Sequence, residues 1–270
     1  MMSYALRLSE EELARYRMMA QRAASLEADL WTQAGIVPGA RVADVGCGPG
    51  AMVATLAGAV GPDGYVAGVD ADEPAVAAAT AVLEAAGVTN AGISAGRAED
   101  TGLAPASFDV VVLRHVLAHN GGAEQRIVDH LAGLLRPGGC LYVVDVDLTS
   151  ARIEPSLPDA DELLVRYLAW HAQQGNDVRI GTRLAELADR AGLSVVELRE
   201  WFEVGEAPPG MRGPAWAARQ ALLDGGLATH DDLTRWALAF DDMDSWTTRP
   251  EYRMGTFAAV CARPQENESG

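Results

Sequence analysis

Two rhythms of apolar residues alternate along the first half of the chain. Leu13, Tyr16, Met19, Ala23, Leu26 and Leu30 recur every three or four residues and predict one amphipathic helix, ended by Gly35 and Pro38-Gly39. Ser9 to Glu12 reads as a capping box at its start, with Leu8 and Leu13 as a hydrophobic staple. Short apolar runs then alternate with helical stretches. Strands are expected at Arg41 to Val45, Tyr65 to Val69, Asn90 to Ser94, Phe108 to Leu113 and Leu141 to Val146. Helices fall between them, at Ala51 to Val60, from Pro74 to Gly87 and at Ala123 to Leu135. The continuous apolar run at Phe108 suits a strand buried on both faces. This order predicts an α/β fold with a doubly wound, mainly parallel sheet.

The second half is looser. Helices are expected at Asp161 to His171, Thr182 to Ala191, Ala215 to Leu223 and Asp231 to Asp242, with Thr229 to Asp232 capping the last. Strands at Leu193 to Val204 and Gly255 to Ala262 bring the sheet to seven. The expected organisation is a single domain over 1–264, with a helical N-terminal segment (1–35), a lid insertion at about 148–180 and a disordered tail at 265–270.

The chemistry is concentrated in Asp44-Val45-Gly46-Cys47-Gly48-Pro49-Gly50. Glycines let the chain turn tightly and let a ligand approach the backbone, while the next helix presents unpaired N–H groups. Asp70 ends the following strand, twenty residues past the last glycine of the turn, and can receive two ribose hydroxyls. With 28 glycines in the chain, a G-x-G alone says little; its place between strand and helix carries the inference. A nicotinamide-dependent oxidoreductase also fits Gly46, Gly48, Ala51 and Asp70. Against it, the chain contains no lysine and so no Tyr-x-x-x-Lys pair.

These residues resemble the first motif and acidic ribose-binding residue of the class I S-adenosylmethionine-dependent methyltransferases. Gly96 to Asp100 is similar to that family's adenine-contacting stretch, Phe108 to His119 to its fourth-strand motif, and Arg136 to Gly139 to the turn before its fifth strand. The resemblance implies S-adenosyl-L-methionine as cofactor. Asp44 would meet the ammonium group; Gly46, Cys47, Gly48 and Gly50 would line the methionine portion. Asp70 and Ala71 would hold the nucleoside, with Ala98 and Glu99 at adenine and Arg114 and Tyr16 closing the site. Arg97 stands where many members carry an adenine-binding aspartate, which leaves Ala98 and Glu99 for that contact. A protein that binds the cofactor without methyl transfer is the third reading.

Methyl transfer is an in-line displacement that needs alignment, exclusion of water and, for some acceptors, a base. His119, with His115 second, is the expected base, since both follow the fourth strand where such sheets place ligands. Tyr4, Asp147 and His171 are the expected acceptor contacts. Two histidines without a further ligand do not predict a metal site. A formal charge of -17 argues against nucleic acid and anionic membrane and favours a small-molecule acceptor, such as a metabolite or natural product. Cys47, Cys140 and Cys261 suit no disulfide or zinc pattern, and Cys140 and Cys261 read as buried thiols. Without a signal-like start or an apolar run of membrane-spanning length, a cytoplasmic protein is expected, with a homodimer through lid helices as an option.

Overall fold

The computed structural model describes residues 10–210 and 212–265. Tyr4, Leu8 and Ser9, and with them the capping box and staple, lie outside the described residues, as does the tail at 266–270. The chain forms a seven-stranded sheet in the order β3-β2-β1-β4-β5-β7-β6. β1 (Arg41–Val45), β2 (Tyr65–Asp70), β3 (Ala91–Ala95), β4 (Phe108–Arg114) and β5 (Leu135–Glu154) run parallel. β7 (Glu251–Ala262) lies antiparallel between β5 and β6 (Ser194–Glu206). The expected fold class is observed.

The order reverses between β1 and β4, so their C-terminal ends diverge and open a crevice there. Both faces of the sheet are covered. α2 (Ala28–Ala34) and α3 (Ala51–Val60) pack Trp31 and Leu56 against Val112 and Tyr142, and α4 (Glu73–Ala85) adds Leu83. On the other face α5 (Glu124–Leu134) and α7 (Leu184–Arg190) bring Leu131 and Leu187 to Leu113 and Leu141. Cys261 is fully buried, whereas Cys140 is only half-buried.

Three elements depart from the sequence expectation. The N-terminal helix is two helices, α1 (Glu10–Leu26) and α2, separated at Glu27. Glu27 is buried and receives the guanidinium of Arg114 and the hydroxyl of Tyr142 (2.6 Å), so the break places a carboxylate where two sheet residues need it. β5 runs 20 residues rather than stopping near Val146; after an irregularity between Asp147 and Arg152 it pairs again with β7 through Glu154. The third departure is over the sheet. α6 (Pro158–Gln173) packs with α9 (Arg219–Asp224) and α10 (His230–Asp244) around Leu163, Leu222, Trp236 and Phe240. Segment 207–250 therefore joins 148–180 above the crevice. Trp236 and Leu222 are wholly buried there, each contributing about 2–3 kcal/mol by removal from water. The Thr229–Asp232 capping box that starts α10 is formed reciprocally, as expected.

Candidate active site

A cavity of about 750 Å³ lies at the C-terminal ends of β1, β2, β4 and β5, under α1, α6 and α10. Its floor is the glycine turn. Gly46 has φ +73°, and a Cβ there would meet Val116 at 2.4 Å, so the loop after β4 sits directly on the turn. Gly48 has φ +52° and faces the ring of Tyr16, which α1 lays over the turn. Asp70 organises this floor: its two oxygens accept from the backbone N–H of Gly48 (2.8 Å) and Asp72 (2.9 Å). Ala71, Ala98 and Glu99 line the same end, while the Arg97 guanidinium is mostly exposed and salt-bridged to Glu99 at 2.6 Å. Arg97 and Asp100 exchange backbone hydrogen bonds, fixing this stretch as a tight turn beside Gly96.

Asp44 is the electrostatic centre. Its side chain is 2% exposed, lines the cavity, and leaves Oδ2 without a hydrogen-bond partner among the described residues. Burial pushes its carboxyl up to about 7, opposed by nearby Arg114 and reinforced by Asp70. An unpartnered buried carboxylate oxygen is costly unless a donor arrives, and a cation best supplies it. An ammonium group at Asp44 and vicinal hydroxyls at Asp70 fit this floor, so the residues suit an aminoacyl nucleoside cofactor.

Further along, Arg114 lines the cavity while bonded to Glu27, and Asp145 receives three backbone N–H groups, from Leu117, Ala118 and Val146. Those bonds hold the short 3-10 turn Leu117–His119, which aims His119 into the cavity. His115 also lines it and holds a left-handed backbone (φ +55°) at the end of β4. Burial, then the charge of Arg15, lowers His119 to about 4. His115 is pushed well below its ordinary value by burial and by Arg114. Both are neutral at pH 7, and both hold protons too weakly to make strong bases.

Three expected site residues lie elsewhere. Gly50 does not line the cavity; it starts α3 with φ +81°, and a Cβ there would be 2.8 Å from Ala79. Its glycine serves the close packing of α3 on α4. Asp147 folds back on Thr149 (2.9 Å to N) and faces Arg179 at 3.6 Å, because the strand irregularity begins at that residue. His171 is fully buried behind His119, ring centroids 5.1 Å apart, with Nδ1 2.9 Å from Asn176 Nδ2. Conversely, no local pattern points to Arg15, Asp145, Arg212 or Tyr252, which come together only through packing, whereas Trp216, Phe240 and Met243 belong to the aromatic and methionine set of the second half that suits a greasy small-molecule pocket. Asp145, two residues before Asp147 at the end of β5, was the nearest to visible. Among the described residues no group of three His, Cys, Asp or Glu side chains could hold a metal ion.

Comparisons with known proteins bear on this geometry. A family model for a methyltransferase domain matches residues 36–189. The chain is 40% identical over 214 residues to the nocamycin O-methyltransferase of Saccharothrix syringae, covering 78% of this chain and 68% of that protein. It is 33% identical over 189 residues to the ubiquinone biosynthesis O-methyltransferase of Xylella fastidiosa, covering 69% and 70%. Another curated relative is matched over only 44% of its own length. A solved structure of Haemonchus contortus phosphoethanolamine N-methyltransferase 2, in complex with S-adenosylhomocysteine, superposes with a TM-score of 0.53 at 17% identity. That match covers 88% of this chain and 52% of that one, and it speaks to the fold.

Proposed function

This chain belongs to the class I S-adenosylmethionine-dependent methyltransferases, and from that premise we propose that it methylates an oxygen of a small-molecule metabolite or natural product. S-adenosylmethionine supplies the methyl group as a sulfonium-activated electrophile. The observation that carries our reading of the site is the buried, unpartnered Oδ2 of Asp44 above the Asp70-organised turn. Asp44 would receive the ammonium group, Asp70 the ribose hydroxyls, and Ala98 with Glu99 the adenine edge. Gly46, Cys47 and Gly48 would line the methionine chain, with Tyr16 as its cover and Arg114 beside its carboxylate. Asp145 positions His119 through the 3-10 turn, and α1, α6 and α10 exclude water from the reacting atoms.

An oxygen acceptor is supported by the two O-methyltransferase relatives. A small acceptor is supported by a largely apolar chamber walled by Trp216, Phe240, Met243 and Tyr252. No helix among the described residues is long and apolar enough to cross a membrane. Titration with S-adenosylhomocysteine in a calorimeter, followed by product detection across a panel of small hydroxy, enol and carboxylic acids, tests the proposal. S-adenosylhomocysteine formed only with such acceptors is the expected result. Tight cofactor binding with methylation of protein or RNA alone would overturn it.

A further inference from the structure

His171, in the last turn of α6, is a fully buried imidazole that does not line the cavity. The backbone decides its hydrogen bonding. The N–H of Gly121, which can only donate, lies 3.0 Å from Asn176 Oδ1. That contact orients the Asn176 amide, so its Nδ2 donates to His171 Nδ1 across 2.9 Å. An accepting Nδ1 carries no hydrogen, and the neutral imidazole therefore holds its proton on Nε2. Burial, then neighbouring His119, pulls His171 down to about 3, so the ring stays neutral at pH 7. Two segments are clamped to keep this arrangement. A Cβ on Gly121 would lie 2.0 Å from the Gly175 carbonyl oxygen, so the chain after the His119 turn and the chain after α6 touch backbone to backbone. The N–H of Leu148 donates to the Val178 carbonyl (2.9 Å) and ties the same segment to β5.

The locked Nε2–H is buried and has no hydrogen-bond partner among the described residues. A buried donor left unpaired is costly, so its surroundings matter. Three rings pack on it: Tyr167 and Trp170 edge-on, with centroids at 4.5 and 5.1 Å, and His119 tilted by 49° at 5.1 Å. The Trp170 nitrogen only donates, whereas His119 keeps a nitrogen lone pair in either neutral tautomer. Resting on the methyltransferase reading, we propose that His171 is a positioning residue: its Nε2–H, fixed by Asn176, is the donor for one ring nitrogen of His119. The His119 proton then sits on the other nitrogen. Whichever group His119 meets there, it meets as a donor. Taking a further proton would set two N–H groups against each other across the histidine pair. His119 therefore aligns an acceptor oxygen by giving it a hydrogen bond, which leaves another oxygen lone pair for the methyl carbon, and it does not act as a base. Asp145 holds the turn that carries His119, and His171 sets the state of its ring.

The test is nuclear magnetic resonance on the full chain carrying nitrogen-15-labelled histidine, which reports the nitrogen that bears the proton in each of the five imidazoles. Spectra are taken at pH 7, on the free protein and with S-adenosylhomocysteine. We expect His171 to carry its proton on Nε2 and His119 to occupy a single tautomer. His171→Phe should turn His119 into a mixture of tautomers. His171→Gln, whose amide nitrogen can stand where Nε2 stood, should restore the single form. Affinity for S-adenosylhomocysteine within twofold of the parent certifies the fold of both variants. Should His171→Phe not fold, Asn176→Ala releases the imidazole without touching α6 and should mix the His119 tautomers in the same way. A proton on His171 Nδ1, a His119 tautomer unmoved by these replacements, or a signature lost in Tyr167→Phe instead overturns the inference. Failure of the methyltransferase site reading shows separately, as failure of the parent protein to bind S-adenosylhomocysteine.

Discussion

The two ends of the cavity are built by opposite strategies. The proposed cofactor end is built mainly by one run of chain, 44–99, in which a strand, a glycine turn, a helix and a second strand follow in order, with Tyr16 and Arg114 added from outside it. It presents mostly backbone groups and carboxylates at strand ends. The acceptor end is assembled from α1, the loop after β4, the irregular stretch of β5, α6, the start of α8 (Pro214–Ala217), α10 and β7. It presents side chains that are distant in sequence. One end is thereby fixed by local conformation and suited to an invariant nucleoside, while the other can change its walls without disturbing the turn.

The sharpest way to break this contrast is at Asp70. Its carboxylate holds the Gly48 and Asp72 N–H groups and faces the proposed ribose, so Asp70→Ala should weaken S-adenosylhomocysteine binding about 100-fold, or roughly 2.7 kcal/mol. A loss below fivefold by calorimetry would refute the ribose role. Asp44 comes next, through pH. With its carboxyl raised to about 7 in the free protein, facing Arg114 and Asp70, the ionised form that suits an ammonium ligand prevails only above that value. Affinity should therefore be flat above pH 7 and fall by up to about tenfold per unit below it. Asp44→Asn should bind more weakly at pH 8 and lose the slope; an unchanged slope would remove Asp44 from the ammonium.

At the acceptor end, Trp216→Ala should raise the acceptor KM about tenfold by removing one chamber wall, with cofactor affinity within twofold. Coupled loss of both affinities would show that the ends are not separable. Gly50→Ala separates packing from contact at the turn. Its positive φ and the 2.8 Å approach to Ala79 should cost about 2 kcal/mol, or roughly 4–8 °C in Tm. The folded fraction should keep its cofactor affinity within threefold. The smallest effect is expected at Asp147, whose side chain is occupied by Thr149 and Arg179. Asp147→Ala should leave kcat and KM within twofold, and a larger change would return it to the site.

Legibility followed the same division. Gly46, Gly48, Asp70 and Asp44 could be read because a tight turn between strand and helix constrains residue type within a few positions. Gly50 was legible as a glycine of the turn, although its reason lies in α4, a neighbour no local pattern reveals. Asp145 and Asp147 are equivalent by alternation, and the β5 irregularity chose between them. His119 was placed correctly at the strand end, yet its protonation depends on burial and on Arg15, more than a hundred residues away. The break at Glu27 looked like one more polar position on an amphipathic helix.

The sequence alone determined the αβ order, the tight glycine turn after β1 and the carboxylates that end β1 and β2, because backbone sterics and hydrophobic periodicity act over a few residues. Only the tertiary structure decided which charges enter the acceptor chamber, how strongly its histidines hold protons, and which segments close it. Those properties depend on desolvation and Coulomb fields, which are set by neighbours in space.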